Sequence, residues 1–273
     1  MSEMMKALHR RRTTSRHIYK IALFGATGKT GSLFLEKALR NNHTITCFVR
    51  NKEKLERQVS KYKREVKERA KQYLTIIECD IFDPAAVGKG LSGINVVLST
   101  LNFHRRNNKG WNIDLYQKWM KMIVEVMAER DVFNIIALMS WYTDDKGSEI
   151  KGGLSGCGAR FFLRHLIGHV LEDMNAAVEV LEKSENLHWN TIHAPGLRKG
   201  DRLEKTIISN ASDRVQAIID KYPFYKTRYH TMRFADVACY LLDVIENKVN
   251  LPENRKIAIS YQHNLAEPEF NTL

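Results

Sequence analysis

The segment Ile18-Tyr-Lys-Ile-Ala-Leu-Phe24 is followed at once by Gly25-Ala26-Thr27-Gly28-Lys29-Thr30-Gly31. The first part is a short apolar run that is typical of a buried β-strand, and the residues after the last glycine have a helical pattern. Glycines spaced three apart at a strand-to-helix junction allow a tight turn, close approach of the backbone to a pyrophosphate, and close packing of helix on strand. The N-terminus of the helix points unsatisfied N–H groups at such an anion. This stretch predicts a dinucleotide-binding unit.

Alternating strand and helix patterns follow this first unit. Short apolar runs predict further strands, and amphipathic stretches between them predict helices. Six strand–helix repeats in succession indicate an α/β protein with a Rossmann-type, doubly wound parallel sheet, helices on both faces and a small C-terminal region on the substrate side. The predicted strands cover residues 18–24, 44–49, 73–79, 95–101, 132–139 and 189–193.

Helix predictions complete this outline. Apolar residues recur every three or four positions from Leu55 to Ala70, which predicts a single long charged helix with one apolar stripe. No linker or low-complexity segment interrupts the chain, so we expect a flexible basic tail over 1–17 and one NAD(P)-binding Rossmann domain over 18–273. Later predicted elements are helices at 161–183, 214–221 and 234–245, and strands at 205–209 and 256–259.

Charge and composition exclude several classes of protein. The 273 residues carry a formal charge of +12, most of it in the segments 1–20 and 50–71. The second segment has an amphipathic pattern that explains its charges as a solvated helix face, so nucleic-acid binding is disfavoured.

No apolar run is long enough to span a membrane. The four cysteines form no C-x-x-C pair, so we expect no metal site. A cytoplasmic protein, monomeric or weakly dimeric, is expected.

The end of the second predicted strand bears on the choice of nucleotide. NAD-specific sites usually place an acidic residue there to accept the ribose hydroxyls. This chain has Val49-Arg50-Asn51-Lys52 instead. Arg50, together with Lys29 and Lys54, would pair with the 2′-phosphate of NADP. The alternative is that Arg50 simply begins the charged helix.

These residues resemble those of a known family. Gly25-Ala-Thr-Gly-Lys-Thr-Gly31 resembles the glycine motif of atypical short-chain dehydrogenases, specifically the NmrA-like and biliverdin reductase B (flavin reductase)-like branch. Cys79-Asp80-Ile81 is similar to the segment with the family's adenine-contacting acidic residue, and Leu98–Leu101 to the strand end beside the cofactor. Met139-Ser140 resembles the strand that ends near the nicotinamide. Residues assigned to cofactor binding are Gly25, Thr27, Gly28, Lys29, Thr30, Gly31, Arg50, Asp80, Ile81, Ser99, Thr100, Leu101, Ser140 and Pro195.

The resemblance continues along the second half of the chain and covers roughly residues 18–260. Trp189-Asn-Thr-Ile-His-Ala-Pro-Gly-Leu197 resembles the family's W-T-I-x-R-P-x-x-L segment, and Arg233-Phe-Ala-Asp-Val-Ala238 resembles its R-x-D-V-A helix start. His193 stands where the family usually has an arginine, which leaves the polarity of the substrate open.

Candidate catalytic residues are few. Better-known short-chain dehydrogenases carry a Tyr-x-x-x-Lys pair on the helix after the fifth strand, but no tyrosine occurs between Tyr142 and Tyr222. Tyr142 and Lys146 match that spacing in a predicted loop, where positions i and i+4 do not stack on one face. We name Ser140, Tyr142 and His193 as catalytic candidates near the strand ends. His193 could donate a proton, or could equally be a histidine satisfied by the backbone.

Two functions are consistent with the resemblance. The first is an NADP(H)-binding oxidoreductase that transfers a hydride to a planar acceptor such as a flavin, a tetrapyrrole or a quinone, with protons taken from water. The second is a regulatory protein of NmrA type that senses NADP(H) without turnover and acts through a protein partner. The missing Tyr/Lys pair favours the second function, whereas hydride transfer to an aromatic acceptor does not require that pair.

Overall fold

The fold is built on one large twisted sheet. A computed structural model describes residues 17–102, 106–107, 110–111, 114–140, 169–203, 205, 207–212 and 231–261. The strands are β1 (Lys20–Phe24), β2 (Thr44–Val49), β3 (Leu74–Glu78), β4 (Val96–Ser99), β5 (Arg106–Asn107), β6 (Gly110–Trp111), β7 (Asn134–Ser140), β8 (His188–Ala194), β9 (Gly196–Arg198), β10 (Ile207–Ser212), β11 (Thr231–Arg233) and β12 (Arg255–Tyr261). The helices are α1 (Lys29–Arg40), α2 (Lys52–Val59), α3 (Arg64–Tyr73), α4 (Pro84–Leu91), α5 (Leu115–Glu129), α6 (169–182) and α7 (Phe234–Ile245).

Strand order confirms the doubly wound architecture. The large sheet has the order β10-β12-β8-β7-β4-β1-β2-β3. Its neighbouring strands are parallel except for β10, which runs antiparallel to β12 at one edge. The chain winds outward from β1 through β2 to β3, then returns to β4 on the other side of β1. This reversal creates a crevice at the carboxyl ends of β1 and β4, where ligands bind in such sheets.

Helices cover both faces of the sheet, each with its own apolar core. One core includes Leu35 of α1, Val66 of α3 and Leu241 of α7. On the opposite face, Trp119 of α5 packs edge-on against Phe24 of β1 at 5.0 Å between ring centroids, and Phe24 stacks on Phe48 at 4.6 Å. Because both faces of the parallel strands are covered, their sequences are almost continuously apolar. Within the described residues, no helix is long and apolar enough to cross a membrane.

One predicted helix is in fact two. The charged stretch predicted as a single helix forms α2 and α3, joined by a turn over 60–63. Ser60 donates its hydroxyl to the Arg57 carbonyl at 2.9 Å, and Tyr62 donates its N–H to the Val59 carbonyl at 3.0 Å, which closes α2. The Tyr62 hydroxyl donates to the Ser32 carbonyl of α1 at 2.9 Å. The single-helix prediction was wrong because the apolar spacing does not reveal the turn over 60–63. The Tyr62 contact with α1 lies in that turn.

The later elements agree with the sequence where they are described. The helix predicted at 234–245 is confirmed as α7, and the last strand is confirmed as β12. The strand predicted at 205–209 begins at Ile207 as the antiparallel edge strand β10. Residues 161–168 of one predicted helix, and all of the helix predicted at 214–221, lie outside the described residues.

A buried carboxylate joins the end of α7 to the start of the sheet. Glu246 accepts a hydrogen bond from Asn41 at 2.6 Å and forms an ion pair with Lys248. His43 Nδ1 accepts the N–H of Tyr19 at 3.1 Å, so its Nε2 is the protonated nitrogen that donates to Glu246 at 2.9 Å. Burial alone would raise the pKa of Glu246, but hydrogen bonds from Lys248, His43 and Asn41 outweigh burial and lower that pKa.

This network predicts a pH-dependent contribution to stability. Glu246→Gln should lower the free energy of unfolding by about 1–3 kcal/mol at neutral pH, because buried donors lose a charged acceptor. Since the pKa of Glu246 is lower in the folded state, the carboxylate stabilises the fold above its unfolded-state pKa. That contribution is lost as the pH falls through the folded-state pKa. Denaturant unfolding at neutral pH and at a pH of about 3 measures the difference between variant and wild type.

The matched control is Glu253→Gln. The Glu253 carboxylate also pairs with a histidine, His188, at 3.2 Å, but its side chain is 74% exposed. We expect its replacement to change stability by less than about 0.5 kcal/mol. An equal loss of stability in Glu246→Gln at both pH values would contradict the assigned role of the carboxylate.

Candidate functional site

The predicted cofactor residues meet at one edge of the sheet. Gly25 follows β1, Arg50 follows β2 and Thr100 follows β4, and parallel strands present these carboxyl ends side by side. Ser140 is the last residue of β7, and Pro195, which is buried, follows β8. The structure thus places segments from six neighbouring parallel strands, β3, β2, β1, β4, β7 and β8, along the carboxyl edge of the sheet, with the topological switch point between β1 and β4.

The first glycine of the turn sits directly against the end of β4. Gly25 has a positive φ of +87°, and the N–H of Gly28 donates to the Gly25 carbonyl at 2.8 Å to close the turn. Thr100 donates both its N–H, at 2.9 Å, and its hydroxyl, at 3.0 Å, to the Phe24 carbonyl. A Cβ on Gly25 would lie 2.7 Å from the Thr100 hydroxyl and carbonyl oxygens. Only glycine fits at this position, for reasons of both conformation and space.

Gly31 lets the first turn of α1 lie on the end of β1. A Cβ at this position would collide with the Gly25 carbonyl and would lie 2.7 Å from the Thr100 hydroxyl. Gly28 is less restricted, since a Cβ there would lie 3.1 Å from the Gly25 carbonyl oxygen and its φ is −80°. The three glycines therefore have different roles: Gly25 makes the turn, Gly31 allows the packing, and Gly28 leaves the helix start open.

The N-terminus of α1 has the properties of an anion site. Gly28 is the N-cap and offers no side chain, and the first turn contains no acidic residue. The first N–H groups of a helix have no partner within it, and the helix dipole adds partial positive charge. A pyrophosphate fits this arrangement, because the missing Cβ atoms let an anion approach the backbone and the free N–H groups can bind it.

Arg50 is an exposed cation at the end of β2. In the described part of the chain it has no hydrogen-bond or ion-pair partner, whereas its neighbours are engaged. Asn51 caps α2 by accepting the N–H of Lys54 at 2.7 Å, and Glu78 accepts the N–H of Lys52 at 3.2 Å. Lys29 was predicted to pair with the 2′-phosphate of NADP together with Arg50. Its ammonium lies 5.1 Å from the centre of the Phe234 ring on α7.

Asp80 follows the end of β3 and stabilises its own turn. Its carboxylate accepts the N–H of Phe82 at 3.0 Å, and its side chain is exposed. Ile81 is buried in the core below. Asp83 caps α4 by accepting the N–H groups of Ala85 and Ala86 at 3.0 and 3.2 Å. The turn fixes Asp80 two strands from β1, on the side of the crevice where β2 also ends.

The geometry around His193 supports the alternative that this histidine is satisfied by hydrogen bonds within the fold rather than acting as a proton donor. The ring is 1% exposed, with Nδ1 at 2.9 Å from the Ser140 carbonyl and Nε2 at 2.9 Å from the Thr191 hydroxyl. A carbonyl only accepts, so Nδ1 carries the proton and Nε2 accepts from Thr191 in the neutral ring. Both nitrogens are thus occupied. Of the other catalytic candidates, Ser140 is half-buried and Tyr142 lies outside the described residues.

Sequence reasoning assigned no role to Asp173, which joins two helices, α5 and α6, on one face of the sheet. This buried carboxylate of α6 accepts the N–H groups of Tyr116 and Gln117 at 2.8 and 2.9 Å, at the start of α5. Asp114, the N-cap residue of α5, has φ +62° and makes no capping bond. Burial raises the pKa of Asp173, and the backbone hydrogen bonds offset only part of that effect. A separation of 57 residues leaves no local signal for this contact.

Comparisons with known proteins agree with this geometry. A family model described as NAD(P)H-binding matches residues 25–248. No curated protein matches the chain by sequence. Solved structures do: an anaerobillin reductase, ChuY, from Escherichia coli O157:H7 is 15% identical, with a TM-score of 0.58, over 93% of this chain and 100% of that chain. A Streptococcus pneumoniae TIGR4 protein, provisionally assigned as an NADH-flavin reductase, is 16% identical, with a TM-score of 0.61, over 89% and 100%.

A third similar structure is a short-chain dehydrogenase/reductase from Veillonella parvula DSM 2008 in complex with NADP. It is 16% identical, with a TM-score of 0.60, over 93% of this chain and 96% of that chain. At such identities these structures establish the shared fold. With the family match extending from the glycine turn to beyond α7, the chain belongs to the NAD(P)H-binding family.

Proposed function

We propose that this protein is an NADPH-dependent reductase that delivers a hydride to a planar acceptor such as a flavin, a tetrapyrrole or a quinone. The observation that carries the proposal is the glycine turn packed on Thr100 below the uncapped N-terminus of α1. That arrangement suits a pyrophosphate at the switch point of the sheet. The names of two similar structures, an anaerobillin reductase and a protein provisionally assigned as an NADH-flavin reductase, support the class of acceptor.

In this proposal the chain binds and orients the cofactor. The N–H groups at the start of α1 would hold the pyrophosphate, with Arg50 and Asp80 toward the adenine end and Ser140 and Pro195 toward the nicotinamide end. The reduced nicotinamide supplies the hydride when the cofactor is bound. Thr100 acts as a positioning residue, because its hydroxyl is committed to the Phe24 carbonyl and so fixes the turn against β4.

The described residues suit a reaction that needs little acid–base catalysis. His193 uses both ring nitrogens within the fold, so we do not assign it a proton-transfer role. Reduction of a flavin or quinone can take its protons from water, whereas holding two reactants in line contributes several kcal/mol. The occupied ring of His193 also favours a second candidate function, a non-catalytic NADP(H) sensor that acts through a protein partner. Turnover separates the two functions.

Arg50 supports NADPH rather than NADH as the cofactor. It stands at the end of β2, where an acidic residue would bind the ribose hydroxyls of NADH, and no described carboxylate pairs with it. A guanidinium that binds a phosphate through charge-assisted hydrogen bonds contributes about 1.5–3 kcal/mol. This corresponds to an affinity difference of about one to two orders of magnitude.

We therefore expect NADPH to bind about 10–100-fold more tightly than NADH. Arg50→Glu should reverse or abolish this preference, because its carboxylate repels the 2′-phosphate and can accept the ribose hydroxyls. Calorimetric titration of both nucleotides measures it. The control is Arg255→Glu, which reverses the same charge at the first residue of β12, five strands away from β2 in the sheet. Equal affinities in the wild-type protein would contradict the NADPH assignment.

The glycine turn gives a second prediction, which separates binding from folding. Gly28→Ala should retain the wild-type melting temperature within a few degrees and lose nucleotide affinity at least about tenfold, because the new Cβ lies at the open helix start. Gly31→Ala should instead lose stability, since its Cβ collides with the Gly25 carbonyl. Thermal unfolding and nucleotide titration of both variants test this. If Gly28→Ala binds normally, the pyrophosphate is not at this turn.

Turnover tests the function itself. We expect the protein to oxidise NADPH in the presence of FMN, biliverdin or a soluble quinone. The loss of nicotinamide absorbance measures this reaction. Ser140→Ala and Tyr142→Phe should each lower kcat by no more than about 100-fold, because most of the rate acceleration comes from the orientation of cofactor and acceptor. A loss of about 10⁴-fold in Tyr142→Phe would instead assign that residue as the general acid. Tight NADPH binding without turnover of any acceptor would support the sensor.

A further inference from the structure

A small two-stranded sheet extends the carboxyl end of β8. The strands β9 and β11 are parallel, and their register pairs Leu197 with Met232 and Arg198 with Arg233. Met232 is 1% exposed in the core, and Leu197 packs against the same core. Because successive side chains of a strand point to opposite faces, the two arginines share the face that is turned away from the core. Two like charges thus stand opposite each other on neighbouring strands.

Arg233 is held in place by the loop that follows β9. Its guanidinium donates to the Lys199 carbonyl at 2.5 Å and lies over the backbone of Gly200, where a Cβ would approach it to 2.5 Å. The Arg233 N–H donates to the Tyr261 hydroxyl at 2.9 Å, which fixes the backbone as well. The Arg233 Nε atom is buried and has no hydrogen-bond partner among the described residues. A positioned guanidinium thus retains an unused donor.

Arg198 is exposed, and no carboxylate in the described ranges pairs with it. The acidic residue in the first turn of the adjoining helix α7 is Asp236, whose carboxylate has other partners. Asp236 accepts the Tyr261 hydroxyl at 2.5 Å and the N–H of Leu203 at 3.2 Å, and lies 3.6 Å from Arg202. Opposed like charges on neighbouring strands are destabilising, and a bound anion would relieve their repulsion.

The position of this arginine pair relates it to the reaction. Strand β9 begins directly after Pro195, so it lies beyond the carboxyl end of β8, the strand that neighbours β7. Gly196, which precedes Leu197 and shares the arginines' face, is exposed and leaves that face open. Phe234 follows Arg233, and the Lys29 ammonium of α1 lies 5.1 Å from the centre of its ring, so the end of β11 lies beside the start of α1.

From these observations we infer that Arg198 and Arg233 form an anion subsite for a phosphate or carboxylate group on the acceptor. Two guanidinium groups on one face match the oxygens of such a group through paired N–H donors. The subsite rests on the proposed function and narrows its substrate class to acidic planar acceptors. A phosphate could also come from the pyrophosphate of the cofactor, but the open start of α1 already serves that group in the proposal.

FMN and riboflavin provide the test, because they share one ring system and differ in the 5′-phosphate. Each is titrated by its fluorescence into the protein saturated with NADP⁺, so that the result does not depend on turnover. We expect the wild-type protein to bind FMN about tenfold more tightly than riboflavin. Arg198→Gln should reduce that ratio to near one, with a much smaller change for riboflavin, and its exposure predicts an unchanged melting temperature. Arg255→Gln is the control and should keep the ratio.

Several outcomes overturn the inference. An Arg198→Gln variant that keeps the wild-type FMN preference removes the arginine from the subsite. Wild-type protein that binds both flavins equally, or neither, shows that no phosphate is recognised. Weaker NADP⁺ binding in Arg198→Gln with an unchanged flavin ratio assigns the pair to the cofactor pyrophosphate instead. A retained, Arg198-dependent FMN preference without NADPH turnover supports the subsite while contradicting the reductase function.

Discussion

The Gly25 carbonyl occupies the space where a side chain at position 31 would begin, and the Thr100 hydroxyl closes the same space from β4. This contact presses the first turn of α1 onto the ends of two neighbouring strands at the centre of the sheet. It brings an uncapped helix N-terminus to the point where strand order reverses. The rest of the arrangement depends on it, since a single Cβ would separate helix from sheet and move the N–H groups away from the crevice.

Electrostatics along the carboxyl edge complement this constraint. Partial positive charge at the start of α1 is flanked on one side by Arg50 and on the other by the Arg198–Arg233 pair. In the proposed function, these three positions receive the pyrophosphate, the 2′-phosphate and the acid group of the acceptor. The buried histidine between them contributes rigidity, because it bonds the end of β7 to a neighbouring residue of β8.

Much of the fold was predictable, because buried parallel strands are nearly continuous apolar runs and the glycine turn has a strict spacing. The placement of Arg50 and Thr100 at strand ends followed from those strands. The break between α2 and α3 was not predictable, since no Pro or Gly marks it and the Tyr62–Ser32 bond comes from tertiary structure. Neither the satisfied ring of His193 nor the pairing of Arg198 with Arg233 has a local signal, because each depends on partners that lie distant in sequence.

Hydrogen exchange with and without nucleotide tests the central claim that the start of α1 and Arg50 hold NADPH. Amide N–H groups that bind a phosphate exchange more slowly, so saturating NADPH should protect residues 25–31 and 50–52, while α3 remains unchanged. NADH should protect residues 25–31 in the same way and residues 50–52 less, because it lacks the 2′-phosphate. Protection by NADPH that appears elsewhere on the chain and leaves residues 25–31 unaffected would contradict the account.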